Sequence, residues 1–369
     1  MDFYEIYTKY KDFDAEGFFA SVTDDGVRRA LQSEVLDIRQ YLTLLSPLAE
    51  NYLEDLAQKA HTTALLYFGR AIQLYTPLYL SNYCENGCQY CGFNAGNDIE
   101  RKKLTLEEVE EEARFISSSG LKHILVLTGE SRAHTPLSYI KECIPILRRY
   151  FSSISVEIYP VSSGEYAELI ALGVDGLTIY QETYDRAIYE KVHPFGPKRD
   201  FLFRLGAPER AAEAGMRTVN IGALLGLGDW RRDAFFTGLH ARYLFDRFSA
   251  AEVSVSVPRL RKHTGEFKAY CETEDKNIVQ IILALRAFLP RTGLTLSTRE
   301  SAGLRDNLIP LGITKMSAWS TTRVGGHTRG PGGESSEQFE VKDGRTVDEI
   351  KRMLIGKKYQ PVMKDWMAL

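Results

Sequence analysis

Cysteine is scarce in this chain of 369 residues: there are five, and three of them fall between Cys84 and Cys91. An odd number, bunched in this way, does not make a disulfide framework and fits a reducing compartment and metal use. Long apolar runs are absent as well, nothing approaching the roughly 18 residues of a membrane span. The N-terminus, Met1-Asp2-Phe3-Tyr4-Glu5-Ile6-Tyr7, lacks the basic-then-apolar order of a secretory signal. A soluble, cytoplasmic protein is expected. There is no basic excess, since 46 Lys and Arg stand against 49 Asp and Glu for a net charge of -3, which argues against a nucleic-acid field. The one acidic run, Glu107-Glu108-Val109-Glu110-Glu111-Glu112, reads as a solvated helix face. Histidines are few and scattered, with no ligand pair after a strand, which disfavours a barrel hydrolase using His and carboxylate ligands.

What is present is Cys84-Glu85-Asn86-Gly87-Cys88-Gln89-Tyr90-Cys91, after the strand-like run Thr76 to Asn82. Three thiols spaced by three and then two residues can converge on one soft metal centre, iron-sulfur or zinc. A closed structural site takes four protein ligands, whereas a site that does chemistry keeps one corner open. A structural zinc knot would need a distant fourth ligand, such as Cys143, Cys271 or a histidine. Cys143 sits in the apolar pattern Tyr139 to Leu147, where a cysteine serves as a small core residue.

Residues 1 to about 60 carry apolar side chains at three- and four-residue intervals, which predicts an N-terminal helical extension (1–60) packed on a main domain (61–320). A helix from Thr62 to Gln73 is expected to feed the first strand. Strand-like runs then appear at Leu74–Leu80, Ile124–Leu127, Ile154–Ile158, Gly176–Tyr180, Thr218–Ile221, Glu252–Val257, Leu294–Leu296 and Ile313–Met316. Helix-length segments separate them, such as Leu106 to Ser119 with Thr105 as N-cap. Eight such runs predict an α/β fold, a closed (β/α)8 TIM-like barrel, with an open doubly wound sheet as the alternative. Residues 321–369 are expected to supply a flap and a closing helix, the Gly-rich stretch Val324 to Gly333 being a mobile lid.

In such barrels the reacting groups follow the strands at one mouth. Polar residues fall at those places: Thr128, Gly129 and Glu130 after the second run, Glu157 at the third, and Gln181 and Glu182 after the fourth. Gly222 to Gly228, including Leu225, offers small residues near the fifth, and Ser297 and Arg299 follow the seventh. Glu157 interrupts an apolar strand and needs a partner, which a ribose diol or a lysine would equally provide. Arg204 is either a carboxylate clamp or a solvated helix residue. Ser297, Arg299 and Arg305, with Ser317, Ser320 and Thr321 beside them, supply donors suited to an amino-acid carboxylate.

The cysteine spacing, with Tyr90 before the last thiol, resembles the cluster loop of the radical S-adenosylmethionine superfamily. The resemblance implies a [4Fe-4S] cluster on Cys84, Cys88 and Cys91. S-adenosyl-L-methionine (SAM) would chelate the open iron, and its reductive cleavage would give a 5'-deoxyadenosyl radical. Thr128-Gly129-Glu130 is similar to the loop that binds the methionyl ammonium, and Gly222 with Leu225 to the segment that receives adenine. The chain resembles one branch in particular, the 2-iminoacetate synthases, through Leu80 to Phe93, Leu127 to Glu130, Tyr180 to Tyr184, His193 to Lys198, Ser256 to Arg259, Leu296 to Glu300 and Pro361 to Trp366.

That resemblance implies Cα–Cβ cleavage of L-tyrosine to dehydroglycine (2-iminoacetate) and p-cresol for thiazole and thiamine synthesis. It also implies a low-potential reductant such as flavodoxin or ferredoxin and thiazole synthase as a protein partner. The [FeFe]-hydrogenase maturase that also cleaves tyrosine carries a second cluster on a C-terminal extension, whereas here no cysteine follows Cys271. Two positions depart from the branch: Trp319 stands where Gly is expected, and His327 where Tyr is expected. A large ring at Trp319 beside the pocket would favour another aromatic amino acid, a tryptophan-type lyase being the alternative. Cys88→Ala is expected to abolish cluster binding and turnover while Cys143→Ala leaves both intact, as iron content and 5'-deoxyadenosine release will show.

Overall fold

A parallel strand covered by helices on one side and by the barrel interior on the other is apolar throughout, as Ile124-Leu125-Val126-Leu127 is. In the computed structural model, which describes residues 2–329 and 336–364, eight strands of this kind alternate with helices. They are β1 (Ala71–Ser81), β2 (His123–Thr128), β3 (Ser153–Glu157), β4 (Gly176–Glu182), β5 (Thr218–Ala223), β6 (Glu252–Ser256), β7 (Gly293–Leu296) and β8 (Lys315–Ser317). Neighbours in the chain pair in parallel, and β8 returns to β1 with Met316 opposite Leu74. The sheet is therefore closed, and the open doubly wound alternative is excluded.

β1 begins three residues before the expected start. The preceding helix, Leu53–Phe68, stops at Gly69, whose φ of 61° lies in the left-handed region that ends helices. The helical period had been carried through this glycine to Gln73, and the cap overrides it. The extra length of β1 is used: its start pairs with a ninth strand, β9 (Gln360–Val362), and its upper half with β2. No strand was expected at β9.

The N-terminal helices lie against the outer helices Trp230–Arg247 and Asp275–Phe288. Phe3 stacks on His240 with ring centroids 3.8 Å apart, Tyr41 stacks on Phe288 at 4.3 Å, and the Tyr41 hydroxyl donates to the Ala234 carbonyl at 2.8 Å. These residues belong to the same apolar core as the barrel. Among the described residues no helix is long and apolar enough to cross a membrane.

The Gly-rich stretch is not a free lid where it is described. Val324 bridges to Tyr79 of β1, and the short helix Gly326–Arg329 sits on the acidic helix Leu106–Ser117. Glu112 there is 1% exposed rather than solvated. Its carboxylate accepts from the backbone N–H of His327 at 3.3 Å and of Thr328 at 2.7 Å, and from the Thr328 hydroxyl at 2.5 Å. An anion at a helix N-terminus is the expected partner for those orphan donors. Residues 330–335 of the same loop, and Asp365 and Trp366 of the C-terminal motif, lie outside the described residues. Glu112→Ala should lower unfolding stability by about 2 kcal/mol in urea titration and speed amide exchange at His327 and Thr328.

Candidate active site

All three clustered cysteines line one cavity at the C-terminal ends of the strands, with an empty volume of about 840 Å³. Their loop has no regular secondary structure, so its amides are satisfied from neighbouring loops. The Glu85 N–H donates to the Glu130 carbonyl (2.8 Å), Gly87 to Phe195 (3.1 Å), Gln89 to Val192 (3.1 Å) and Gly92 to Gln338 (3.0 Å). Close approach requires glycine at Gly129, where a Cβ would lie 2.3 Å from the Tyr83 carbonyl oxygen, and at Gly92, where it would lie 2.4 Å from that of Glu337. Gly129 is thus explained by contact with the cysteine loop.

The donor set is three thiols, with no histidine and no fourth thiol among the described residues that line the cavity. Cys143 is fully buried in the helix Leu137–Arg148 and Cys271 does not line the cavity. Three thiols spread around one cavity without a fourth suit an iron-sulfur cube with an open corner. Burial pushes the Cys88 thiol well up and raises Cys91 as well, so loading with metal must displace protons. Two side-chain amides face these sulfurs: Asn86 Nδ2 lies 3.7 Å from Cys84 Sγ, and Gln338 Nε2 lies 3.6 Å from Cys91 Sγ.

Beyond the cysteines the lining is polar and of mixed sign. Glu130 accepts from Asn86 Nδ2 at 2.8 Å, and the hydroxyl of Thr128 is buried without a partner in the same wall. Glu182 ends β4 with φ at 70°, a left-handed value rare for a non-glycine residue and typical of sites under constraint. It accepts from Lys198 Nζ at 2.6 Å and from Arg204 at 3.4 Å. Burial works to raise its pKa, but the Lys198 ammonium and the Arg204 guanidinium outweigh it and hold the carboxyl below the usual range. Glu157 has the opposite balance. Burial, then the charge of Glu182, pushes it up to about 7, and no hydrogen bond reaches its carboxyl among the described residues. Opposite stands Arg299, its guanidinium 3.3 Å from the centre of the Phe339 ring.

Of the residues read from sequence, the cavity gathers Cys84, Cys88, Cys91 and Tyr90; Thr128, Gly129, Glu130 and Glu157; and Glu182, Arg204 and Arg299. The Tyr90 hydroxyl lies 2.7 Å from His193 Nε2, whose ring Nδ1 is 2.7 Å from the Tyr189 carbonyl. The other candidates are placed elsewhere. Gln181 does not line the cavity: it is the extra residue at a bulge between Tyr180 and Glu182, both of which do. Leu225 is one residue off: Leu224 lines the cavity while Leu225 joins the main core, its N–H donating to the Pro258 carbonyl at 2.8 Å. Gly222 does not line the cavity; a Cβ there would sit 2.4 Å from the Ser256 carbonyl oxygen of β6 and 3.1 Å from the Tyr180 ring, so close packing of the strands accounts for the glycine.

The expected carboxylate pocket loses most of its members. Arg305 is fully buried, paired with Asp343 and donating to the Ser317 carbonyl, so both of its terminal nitrogens are already engaged by the chain. Ser317 accepts from the Thr298 N–H at 3.0 Å, Ser297 and Thr321 accept within their own turns from Arg299 N (3.4 Å) and Arg323 N (3.3 Å), and Ser320 lies buried outside the cavity. Ser297 and Thr321 thus have loop-capping roles, whereas the Ser320 hydroxyl has no partner among the described residues. Arg299 alone of that set faces the cavity. The sequence reading also passed over Tyr180, Lys198, Gln338 and Phe339, which line it. Tyr180 was recoverable from alternation with Glu182; nothing local marked Gln338 and Phe339.

Trp319 does not narrow the cavity. With φ at 52° its ring turns outward between Phe115 (5.4 Å) and His327 (4.9 Å), and His327 Nε2 lies 3.0 Å from the Pro77 carbonyl. The left-handed backbone is what makes glycine the natural occupant there, and the tryptophan is accommodated by packing outside the barrel.

Because the fold disfavours the charged form of Glu157, its contribution is the reverse of a salt-bridged acid. The contribution of Glu157 to the stability of the cofactor-free chain is undiminished below the unfolded pKa of about 4.3 and falls as pH rises toward 7. Glu157→Gln should therefore leave stability unchanged at pH 4 and raise it by up to about 3 kcal/mol at pH 8, measured by denaturant titration.

Residues 78–237 match the Radical SAM superfamily and residues 256–360 the Biotin and Thiamin Synthesis associated domain. The 2-iminoacetate synthases of Salmonella typhimurium (strain LT2) and Escherichia coli (strain K12) are each 41% identical over 341 residues, covering 92% of this chain and 90% of theirs. The [FeFe]-hydrogenase maturase HydG from Carboxydothermus hydrogenoformans superposes with a TM-score of 0.85 at 35% identity over 98% of this chain and 82% of that one. Methylornithine synthase (PylB), at 22% identity over 91% of this chain and 97% of its own, shares the fold with a TM-score of 0.72. With its three open-cornered thiols, its closed barrel and that degree of identity over nearly its whole length, the chain belongs to the 2-iminoacetate synthase family of radical SAM enzymes, which use a [4Fe-4S] cluster and S-adenosylmethionine.

Proposed function

We propose that this chain cleaves the Cα–Cβ bond of L-tyrosine, giving 2-iminoacetate and p-cresol, as a supplier of the glycine-like fragment for thiazole synthesis. The observation that carries the reading is one cavity lined by the three cysteines and by Arg299, in which acids and cations are equal in number. Glu130, Glu157 and Glu182 stand against Lys198, Arg204 and Arg299. Such a lining suits two zwitterionic amino-acid ends, the methionyl group of SAM and the substrate, better than it suits an anion or a cation alone.

Cys84, Cys88 and Cys91 would hold the cluster, which together with SAM and a low-potential donor such as flavodoxin or ferredoxin would supply a 5'-deoxyadenosyl radical. The side chains then divide the work. Glu130 accepts from the methionyl ammonium in this reading, supported by Asn86, which bonds Glu130 and reaches Cys84. Arg204, its Nε already donating to the Tyr180 carbonyl at 2.6 Å, sits with Lys198 toward the SAM carboxylate. Glu157, unpartnered and partly neutral near pH 7, accepts from a ribose hydroxyl. On the other wall Arg299 takes the tyrosine carboxylate through its planar fork, the Phe339 ring fixing the guanidinium plane.

That grip turns the substrate amino group toward the radical source. Loss of a hydrogen atom from the amino group then breaks Cα–Cβ, giving the imine and a 4-hydroxybenzyl radical that becomes p-cresol on taking one electron from the donor and one proton. Phe93, Tyr180 and Phe339 line the cavity with rings and keep water from both reactive species. Nothing bulky in the cavity favours an indole over a phenol, since Trp319 lies outside. Thiazole synthase is proposed as the protein that receives the imine.

The test is anaerobic reconstitution with iron and sulfide, then SAM, a reductant and each aromatic amino acid in turn. p-Cresol and 5'-deoxyadenosine in equal amounts from tyrosine support the reading; SAM cleavage without tyrosine consumption rejects it. Arg299→Met should lower kcat/KM for tyrosine more than 100-fold, of the order expected when a charged hydrogen-bonded pair is broken in a dry site, while slow uncoupled SAM cleavage persists.

A further inference from the structure

The segment from Glu337 to Asp343 crosses the barrel mouth as a strap and is tied at both ends. At one end the Gln338 carbonyl accepts from the Gly92 N–H at 3.0 Å; at the other, Lys342 N–H donates to the Thr298 carbonyl at 2.9 Å and Asp343 is buried against Arg305. The approach at Gly92 is so close that a Cβ there would stand 2.4 Å from the Glu337 oxygen and 2.7 Å from that of Gln338. Gln338 is therefore held by its own backbone against the residue that follows Cys91.

Its side chain is held as well. The Tyr79 hydroxyl lies 2.7 Å from Gln338 Oε1, which leaves Nε2 as the end 3.6 Å from Cys91 Sγ. The opposite amide orientation would put a carbonyl oxygen against the sulfur. A thiolate bound to iron only accepts, so that alternative is repulsive. Reduction of a cluster adds negative charge that is partly carried by its sulfurs. A donor aimed at a ligand sulfur therefore favours the reduced form and raises the potential.

We propose that Gln338 is a positioning residue of the radical reaction: fixed by Tyr79 and Gly92, its amide N–H donates to the Cys91 thiolate, orients that ligand and keeps the cluster reducible. The proposal rests on the reading of the three cysteines as the cluster ligands and not on the identity of the amino-acid substrate. The same strap carries Phe339 against Arg299, so the two neighbouring residues serve the cluster and the substrate respectively.

The experiment uses the full chain, reconstituted anaerobically, with the midpoint potential of the cluster read by EPR-monitored redox titration in the absence of SAM and substrate. Gln338→Met, which keeps length and removes the donor, should retain full iron and shift the potential to more negative values. At a fixed reductant potential SAM cleavage should then slow several-fold, since the bond is stronger to the reduced cluster than to the oxidised one. Tyr79→Phe, which frees the amide without removing it, should shift the potential less and in the same direction. Glu340→Gln, on the exposed part of the strap where Glu340 pairs with Lys342, should leave it unchanged.

A Gln338→Met potential equal to that of the unaltered chain overturns the proposal, as does an equal shift from Glu340→Gln, which would mark a packing effect of the strap. If Gln338→Met loses iron, an unshifted Tyr79→Phe overturns it and a shifted one supports it. A chain that shows the Gln338-dependent potential yet makes no p-cresol supports this inference and rejects only the substrate reading.

Discussion

A loop that must present three sulfurs to one point cannot spend its backbone on a helix or a strand, so its N–H groups have to be satisfied from outside. Everything at the mouth of this barrel follows from that need. Carbonyls from the loop after β2 (Glu130), from the segment after β4 (Val192 and Phe195) and from the late strap (Gln338) each accept from the cysteine loop. Unpaired, each amide would cost on the order of 1–3 kcal/mol in the buried parts of the loop. The contacts are close enough to require Gly92 and Gly129. Residues far apart in the chain are thereby brought within reach of the same cavity before any cofactor enters.

The charges inherit their positions from this arrangement. Asn86, within the cysteine loop, joins three elements at once: its amide nitrogen reaches Cys84 and Glu130, and its oxygen accepts from the Lys198 N–H at 2.8 Å. Lys198 in turn bonds Glu182, and Arg204 shares that carboxylate. A buried carboxylate between two cations stays ionised, whereas Glu157, nearby but without a cation in contact, does not hold its charge firmly. Two acids in one cavity thus differ in protonation through their partners alone. The firmly charged one is occupied by the protein, and the carboxyl of the other has no hydrogen bond among the described residues.

How much of this was legible in the chain depends on the distance over which each signal acts. The barrel was readable because every strand carries its own apolar run and every turn its own polar end. The cysteine triad, Glu130, Glu157, Glu182 and Arg204 follow from motif and strand end. Gln181 and Leu225 failed where a bulge in a strand or the twist of a loop decides between adjacent residues, an error of one position that reverses a side chain. Arg305 failed for another reason. A guanidinium is recognisable in sequence but its partner is not, and Asp343, 38 positions on, had already engaged it. Gln338 and Phe339 carried no signal at all, because their place comes from long-range ties to Gly92 and Thr298.

Trp319 shows how a departure from a family pattern can change nothing at the site. Glycine is suited to that position by a left-handed backbone, not by a need for space in the cavity. Once the ring turns outward it packs on Phe115 and His327, and His327 is itself held by the Pro77 carbonyl and by Glu112. The two unusual residues are thus one adjustment: a strained tryptophan supported by a histidine that the acidic helix anchors. The cost is met on the outside of the barrel, where β1, β8 and the helix Leu106–Ser117 meet. The inner wall, lined by the three cysteines and Arg299, does not include the tryptophan.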